Sequence, residues 1–310
     1  MNIKSFWGKY NFTIILLAVI IIAAIVVLLL GKPSISGVPY LDSAMIIILI
    51  VVGLAAGLLG GWIGTGGCSV MLPVLHFWLG FPASIAVGTT LFAVIFTALS
   101  GGYGHFKRGN LDKRVTLWMG GAGIVGVILG SWLFTFLSSQ SALLGFIIGI
   151  VFLWPAVRMG WEGIIGFKKS KSAAATSAAT QSQAIKGHPA KLSTFGAVVG
   201  VLTGIVGLGG GYALVPGLIY LFGAAVYITM GTSLAVMVPL AVVGGSIKLA
   251  QGYVFLGAAL LLATGTIVGA QIGAATITKF KPHTLKLIFG VYFLYVAIKF
   301  ICNYVGISVW

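Results

Sequence analysis

The sequence predicts an all-α fold: a polytopic integral membrane helical bundle built from two inverted-topology repeats. Three observations lead to this fold class: an apolar composition, apolar runs of membrane-spanning length, and an internal repeat. Of the 310 residues, 59% are hydrophobic and 7% are charged, whereas a soluble domain carries about 25% charged residues. So few charges cannot cover a water-facing surface, and apolar runs without strand-like alternation favour helices over a barrel.

The formal net charge of +15 does not indicate nucleic-acid binding, because the cations lie in short loops and one linker. Basic loops are typical of the cytoplasmic side of a membrane protein. We therefore expect a multi-pass protein of the cytoplasmic membrane, surrounded by the lipid bilayer and without a nucleic-acid partner. The two cysteines, Cys68 and Cys302, both lie in apolar segments, so the sequence does not imply a disulfide framework.

The polar residues divide the chain into four regions. Residues 1–43 contain an uncleaved first helix and an outside loop, with the N-terminus in the cytoplasm, and residues 44–161 and 192–310 are the two repeats. Residues 162–191 are rich in Ser, Ala, Thr and Gln, which predicts a flexible cytoplasmic linker. Each repeat should hold three full-length helices and two shorter pieces, which form either a re-entrant hairpin or two thin crossings.

The internal repeat is the strongest signal in the sequence. Adding 143 to a residue number matches glycines and prolines of the two halves from residue 53 to residue 130 without a gap. Matched pairs include Gly64 and Gly207, Pro73 and Pro216, Gly88 and Gly231, and Gly126 and Gly269. Agreement of this kind at a fixed offset predicts a duplicated structural unit.

The charged loops predict how the two repeats are oriented. The basic loop at 105–114 corresponds to residues 248–257, which carry a single lysine. The uncharged loop at 138–141 corresponds to residues 281–284, which lie among lysines. Because the basic loops exchange places, the positive-inside rule predicts that the two repeats are inverted in the membrane.

Each half contains a glycine segment that ends in a proline. The first is residues 64–73, GTGGCSVMLP, and the second is residues 207–216, GLGGGYALVP. Glycine and proline interrupt helices, and the new helix that follows exposes unpaired amides and the positive end of its dipole, which can bind an anion. Inverted-repeat transporters hold substrate between such helix ends near the membrane centre. Close helix packing through small residues is the alternative.

These paired glycine segments, within two inverted halves, resemble the sulfite exporter TauE/SafE family over roughly residues 44–305. The resemblance implies export of sulfite or a small organosulfonate across the cytoplasmic membrane. Thr65 and Cys68 correspond to Leu208 and Gly211 in the second half, so the two halves are not chemically equivalent.

The scarcity of acidic residues favours an anion as the substrate. The chain contains only Asp42, Asp112 and Glu162, and we expect all three in loops. Cation transporters usually hold their ion on a carboxylate within the membrane. If protons are coupled to transport, they could travel on the substrate or on His76, for which a structural role is the alternative.

The candidate substrate-binding residues lie in the glycine segments and at matched polar positions beside them. They are Thr65, Gly66, Gly67, Cys68 and Ser69 in the first segment, Gly209, Gly210, Gly211 and Tyr212 in the second, and Thr89, Thr90, Thr232, Ser233 and Gln271 outside them. The hydroxyl groups could instead bond to the preceding helical turn, and Gln271 could instead join two helices. Lys248 should extend its amine to the membrane surface, with pairing to the substrate as the alternative.

Together these features predict a secondary transporter that exports a small sulfur oxyanion and needs no cofactor. A transporter of another small anion is the alternative. An intramembrane enzyme would need a nucleophile–base pair or metal ligands, and the four histidines lack metal-ligand spacing. A channel would differ by a flux that does not saturate. The oligomeric state is open, with a homodimer as one alternative.

Overall fold

The fold is a bundle of α-helices, seen in a computed structural model that describes residues 3–30, 37–172, 185–279 and 282–307. Within those ranges there is no strand, and the predicted all-α class is confirmed. The helices are α1 (Ile3–Leu29), α2 (Ser43–Ile63), α3 (Cys68–Pro73), α4 (Ala83–Lys107), α5 (Lys113–Leu137), α6 (Ser141–Ser172), α7 (Pro189–Val206), α8 (Gly211–Tyr220), α9 (Val226–Ala250), α10 (Leu256–Thr276) and α11 (Pro282–Tyr304). A π-helical turn, Val74–Trp78, continues α3, and a 3-10 turn, Ile277–Lys279, follows α10.

Eight helices in the described part of the chain are long and apolar enough to cross a membrane. They are α1, α2, α4, α5, α6, α7, α9 and α10. In each glycine region the first piece, α2 or α7, is therefore of full length, and only the second piece is short. Helix α6 continues to Ser172, so residues 162–172 of the predicted linker are helical. Residues 173–184, the centre of that linker, lie outside the described residues.

The helices of the two halves correspond under the shift of 143 residues. Helix α4 at 83–107 maps onto 226–250, which are the bounds of α9. The packing corresponds as well. A Cβ on Gly53 would lie 2.2 Å from the carbonyl oxygen of Leu262. At the matched position, a Cβ on Gly196 would lie 2.4 Å from the carbonyl oxygen of Met119, and Met119 in turn matches Leu262. Backbone-to-backbone contact thus pairs α2 with α10, and α7 with α5.

Hydrogen bonds show which loops share an end of the bundle. At one end, the Ser138 Oγ and Tyr253 hydroxyl atoms are 2.7 Å apart. At the other end of α5, the Asp112 carboxylate accepts a bond from the Ile185 amide at 3.0 Å. The loop after α4 and its counterpart after α9 therefore lie at opposite ends of α5, which is the arrangement that inverted repeats require. Which end faces the cytoplasm stays a prediction.

Each glycine segment forms the tip of a helical hairpin. In the first half, a Cβ on Gly37, before α2, would lie 3.4 Å from the ring of Pro82, which follows the short arm. In the second half, a Cβ on Gly187, before α7, would lie 3.0 Å from the ring of Phe222, which follows α8. Each glycine segment thus turns the chain back towards the end of the bundle from which it came, and both alternatives, a re-entrant hairpin and two crossings, remain predictions.

The acidic residues correct one of our predictions. Asp42 and Asp112 lie in loops and cap α2 and α5 through bonds from the Met45 amide (2.7 Å) and the Val115 amide (3.1 Å). Glu162, however, lies within α6, because that helix continues past its apolar stretch. Its carboxylate pairs with Arg158 one turn earlier at 3.2 Å, and it also accepts a bond from the Tyr220 hydroxyl. One of the three acidic side chains therefore does lie in a long helix, and the positions of the carboxylates no longer favour an anion over a cation.

Candidate anion site at the hairpin tips

The two hairpin tips meet at the middle of the bundle. A Cβ on Gly66 would lie 2.5 Å from the methyl group of Met237 and 3.3 Å from Val94. A Cβ on Gly209 would lie 2.6 Å and 2.9 Å from the same two side chains. Val94 and Met237 occupy matched positions near the centres of α4 and α9. Both tips thus pack against one point where the two central helices cross.

The tips also contact each other, and the contact is asymmetric. The Cys68 thiol, at the start of α3, donates to the carbonyl of Leu208 in the second tip and lies 3.1 Å from the Thr65 carbonyl oxygen. A Cβ on Gly211 would lie 2.4 Å from the Thr65 Cα atom. The second half therefore requires glycine where the first has Cys68, so this difference between the halves has a packing cause.

The tips have a backbone conformation that favours glycine. In the first tip, Gly64 (φ +76°) ends α2 and Gly67 (φ +73°) precedes α3. Their counterparts Gly207 (φ +71°) and Gly210 (φ +85°) end α7 and precede α8. Side chains are strained in this left-handed region. The four matched positions thus account for the repeated glycines without any reference to a ligand.

Both tips present the N-terminus of a helix that no side chain in the described ranges caps. The first helical amides that bond within the chain are those of Val70, to Gly67 at 3.0 Å, and Ala213, to Gly210 at 3.0 Å. The two preceding amides in each helix come before the helical hydrogen-bond ladder. With its π-helical turn, α3 forms the continuous helical segment Cys68–Trp78, so each N-terminus begins a real helix.

Three hydroxyl groups in the tips have no hydrogen-bond partner among the described residues. They belong to Thr65, Ser69 and Tyr212, and these side chains are 1–2% exposed. A buried hydroxyl without a partner costs about 1–3 kcal/mol. Among the hydroxyl groups predicted as ligands, these are therefore the ones that make no hydrogen bond at all to the described residues.

The tips are closed to solvent in this conformation. Residues 63–69 and 206–212 are all buried. The candidate site is therefore occluded from both ends of the bundle, and a ligand could enter or leave only when the surrounding helices separate.

The matched threonines Thr89 and Thr232 have protein partners. Thr89 Oγ1 accepts a bond from the Phe255 amide at 3.0 Å, and Thr232 Oγ1 accepts one from the Asp112 amide at 2.9 Å. Each hydroxyl thus binds the backbone amide of the residue that precedes a long helix of the opposite half, α10 for Thr89 and α5 for Thr232. In this conformation the two side chains link the halves.

Thr90 and Ser233 bond mainly to the preceding helical turn, which is the alternative role given above for these hydroxyl groups. Thr90 Oγ1 donates to the Ala86 carbonyl at 2.8 Å, one turn earlier in α4. Ser233 Oγ contacts the Met230 carbonyl at 3.0 Å and also the Gly64 carbonyl at 2.7 Å. Ser233 is therefore the one of this pair that touches a tip.

Gln271 bonds away from the tips. Its Nε2 atom donates to Thr13 Oγ1 of α1 at 3.1 Å, and its Oε1 atom lies 2.3 Å from where a Cβ on Gly104 would be. This side chain joins α10 to α1 and α4, as in the helix-joining alternative.

His76 and Lys248 have different environments. The His76 Nδ1 atom is 2.9 Å from the Phe81 carbonyl oxygen, and its ring stacks on Phe300, which agrees with the structural role. Lys248 is wrongly predicted to reach the surface, because its side chain is fully buried. Its Nζ atom lies 3.0 Å from the centroid of the Phe134 ring, since α5 packs across the end of α9.

Comparison with known proteins places the chain in a family. Residues 48–300 match the family described as Sulfite exporter TauE/SafE. Relatives include the probable membrane transporter protein YdhB of Bacillus subtilis, which is 30% identical over 74% of this chain and 89% of its own length. The probable membrane transporter protein YunE of the same organism is 28% identical over 82% of this chain and 97% of its own length.

An archaeal relative, a probable membrane transporter protein of Methanocaldococcus jannaschii, is 28% identical over 77% of this chain and 89% of its own length. No solved structure matches. The family match covers both glycine hairpins and most of both repeats. The chain therefore belongs to the sulfite exporter TauE/SafE family, and the relatives described here are named as probable membrane transporters rather than enzymes.

Proposed function

We propose that this transporter moves a small sulfur oxyanion, sulfite or an organosulfonate, across the cytoplasmic membrane and holds it between the two hairpin tips. One observation carries the proposal: the buried hydroxyl groups of Thr65, Ser69 and Tyr212 lack partners beside two uncapped helix N-termini. An oxyanion would satisfy both features, because its oxygens accept bonds from hydroxyl and amide groups alike. The description of the matched family supports sulfite, whereas the relatives' names specify no substrate.

The sign of the local electrostatics favours an anion over a cation. Hydroxyl oxygens alone could coordinate either, but a helix N-terminus carries the positive end of the dipole. A hydrogen bond to a charged group contributes about 1.5–3 kcal/mol. Three such bonds would offset part of the cost of removing a small anion from water, which is high in a buried site, and the helix amides would offset more.

Transport requires that the occluded tips become accessible from each side in turn. Both tips pack against the Met237 methyl group and the Val94 side chain at the crossing of the central helices, and the Ser233 hydroxyl of α9 donates to the Gly64 carbonyl of the first tip. A flexible methionine can adapt its packing as helices move. We infer that the crossing of α4 and α9 is the pivot about which the hairpins open, as inverted repeats permit.

The test is sulfite flux into proteoliposomes that contain the purified protein, with sulfate and taurine as competitors. We expect saturable sulfite flux that taurine or another sulfonate reduces. If sulfite neither moves nor competes while another small anion does, the alternative substrate is correct and the site remains. Flux that rises linearly with concentration would indicate a channel.

A further inference from the structure

Lys248 is a buried basic side chain for which the described residues supply no counter-charge. Its side chain is 0% exposed, and its Nζ atom has no hydrogen-bond partner among the described residues. The face of the Phe134 ring, 3.0 Å from Nζ, offsets part of the cost of burying an ammonium group. Intramembrane cations almost always pair with an anionic group or with carbonyl oxygens.

None of the three side-chain carboxylates in the sequence is placed to neutralise Lys248. Asp42 caps α2, and Asp112 bonds amides at the start of α5, the end opposite to Phe134. Glu162 pairs with Arg158 on α6. Among the described residues, no carboxylate is therefore placed to pair with Lys248.

A second polar group without a partner lies on the same face of α5. Ser131 precedes Phe134 by three residues, so the two side chains share one face of the helix. The Ser131 hydroxyl is buried and has no partner in the described part of the chain. Outside the hairpin tips, it is the remaining described hydroxyl of this kind.

This pair lies next to the second hairpin. A Cβ on Gly204, in the last turn of α7 before the tip, would lie 2.5 Å from the Ser131 amide nitrogen. The first half has the corresponding contact. There, the His105 Nε2 atom lies 3.0 Å from the Gly61 carbonyl oxygen. His105 and Gly61 correspond to Lys248 and Gly204 in the second half. The first half thus brings a basic side chain to the last turn before its tip, and in the second half Ser131 lies at the matched turn, three residues from the Phe134 ring that Lys248 covers.

We propose that Lys248 and Ser131 form a second anion site between α5 and α9, which a small oxyanion occupies on its way between the hairpin tips and one end of the bundle. The proposal rests on the proposed transport of an anion through the tips. Lys248 supplies the charge and Ser131 a hydroxyl donor. The site lies towards the end where Ser138 and Tyr253 meet, which our predicted orientation places outside.

The experiment compares Lys248→Met, Lys248→Arg and Ser131→Ala with the wild type. A matched control is Lys299→Met, since Lys299 lies on α11, where its amine is 3.3 Å from the Tyr295 hydroxyl. Flux in proteoliposomes is measured for sulfite, sulfate, taurine and phosphate, and melting temperature in detergent is measured with and without each anion.

We expect Lys248→Met to melt at a higher temperature than the wild type without anion, because an apolar chain replaces an unpaired buried amine. Its kcat/KM for the transported anion should fall about 10- to 100-fold, as expected for loss of a bond to a charged group. Lys248→Arg should retain more flux than Lys248→Met. Ser131→Ala should lower kcat/KM less, and its effect should largely disappear in the Lys248→Met background.

A purely structural lysine gives a different result. The larger arginine would then be tolerated less well than methionine, and Lys248→Met would match the Lys299→Met control in flux. Either outcome overturns the second site. Anion flux by the wild-type protein in the same experiment would still support the tip site. If the wild type neither transports nor is stabilised by any of the four anions, both proposals are wrong.

Discussion

Replacement of Tyr212 by phenylalanine should change stability and affinity in opposite directions. The Tyr212 side chain is 2% exposed and its hydroxyl has no partner among the described residues. Removing that hydroxyl leaves the ring packing intact and relieves an unsatisfied buried group, which should stabilise the ligand-free protein by about 1–3 kcal/mol. The same change removes a donor to the bound anion.

The loss of affinity should be at least about tenfold. A hydrogen bond to a charged ligand contributes about 1.5–3 kcal/mol, and about 1.4 kcal/mol corresponds to a factor of ten in the binding constant. Purified Tyr212→Phe protein should therefore melt at a higher temperature than the wild type without sulfite. It should gain less from added sulfite, and its KM for sulfite flux should be higher.

Tyr292 provides a matched control for this experiment. Its hydroxyl donates to the Ser69 carbonyl at 3.1 Å, close to the same tip. Tyr292→Phe loses a bond that is made, so it should lower the melting temperature by the equivalent of about 0.5–1.5 kcal/mol. If Tyr212→Phe also melts lower and keeps the wild-type KM, its hydroxyl has a partner in the folded chain and the tip site is incorrect.

Two further predictions concern packing and orientation. Gly57→Ala should cost about 1–3 kcal/mol, because its Cβ would lie 2.4 Å from the Thr266 carbonyl oxygen, whereas Gly121→Ala has open space and should be neutral or stabilising by melting temperature. A cysteine at Ser139, which is exposed in the loop after α5, should react with an impermeant maleimide added to whole cells. One at exposed Lys107 should react only after the membrane is opened, and the reverse pattern would overturn the orientation.

The repeat and the fold class could be predicted because both are recorded in residue types at fixed spacing. Gly53 and Gly196 are glycines for the same reason: each lets a helix approach the backbone of a partner from the other half. Such constraints are visible along the sequence. The packing of the two ends of each hairpin could not be predicted, since it depends on tertiary contacts such as that between Gly37 and Pro82.

The candidate site could be predicted only as a list of residues. Hydroxyl groups such as those of Thr65 and Thr89 look alike in sequence, and their roles differ because a distant amide, that of Phe255, bonds the second. The burial of Lys248 depends on α5 crossing α9, and the helical position of Glu162 on how far α6 continues. These are outcomes of tertiary packing, which local patterns do not contain.

The glycine-mediated pairing of helices has a consequence for how the protein assembles and moves. The tight pairs α2–α10 and α5–α7 each take one helix from either repeat. The repeat, although it is the unit of the sequence, is therefore not the mechanical unit of the molecule. Separated at the linker, neither half could cover the glycine face of its own hairpin helix, so each half is an incomplete domain that the other half finishes.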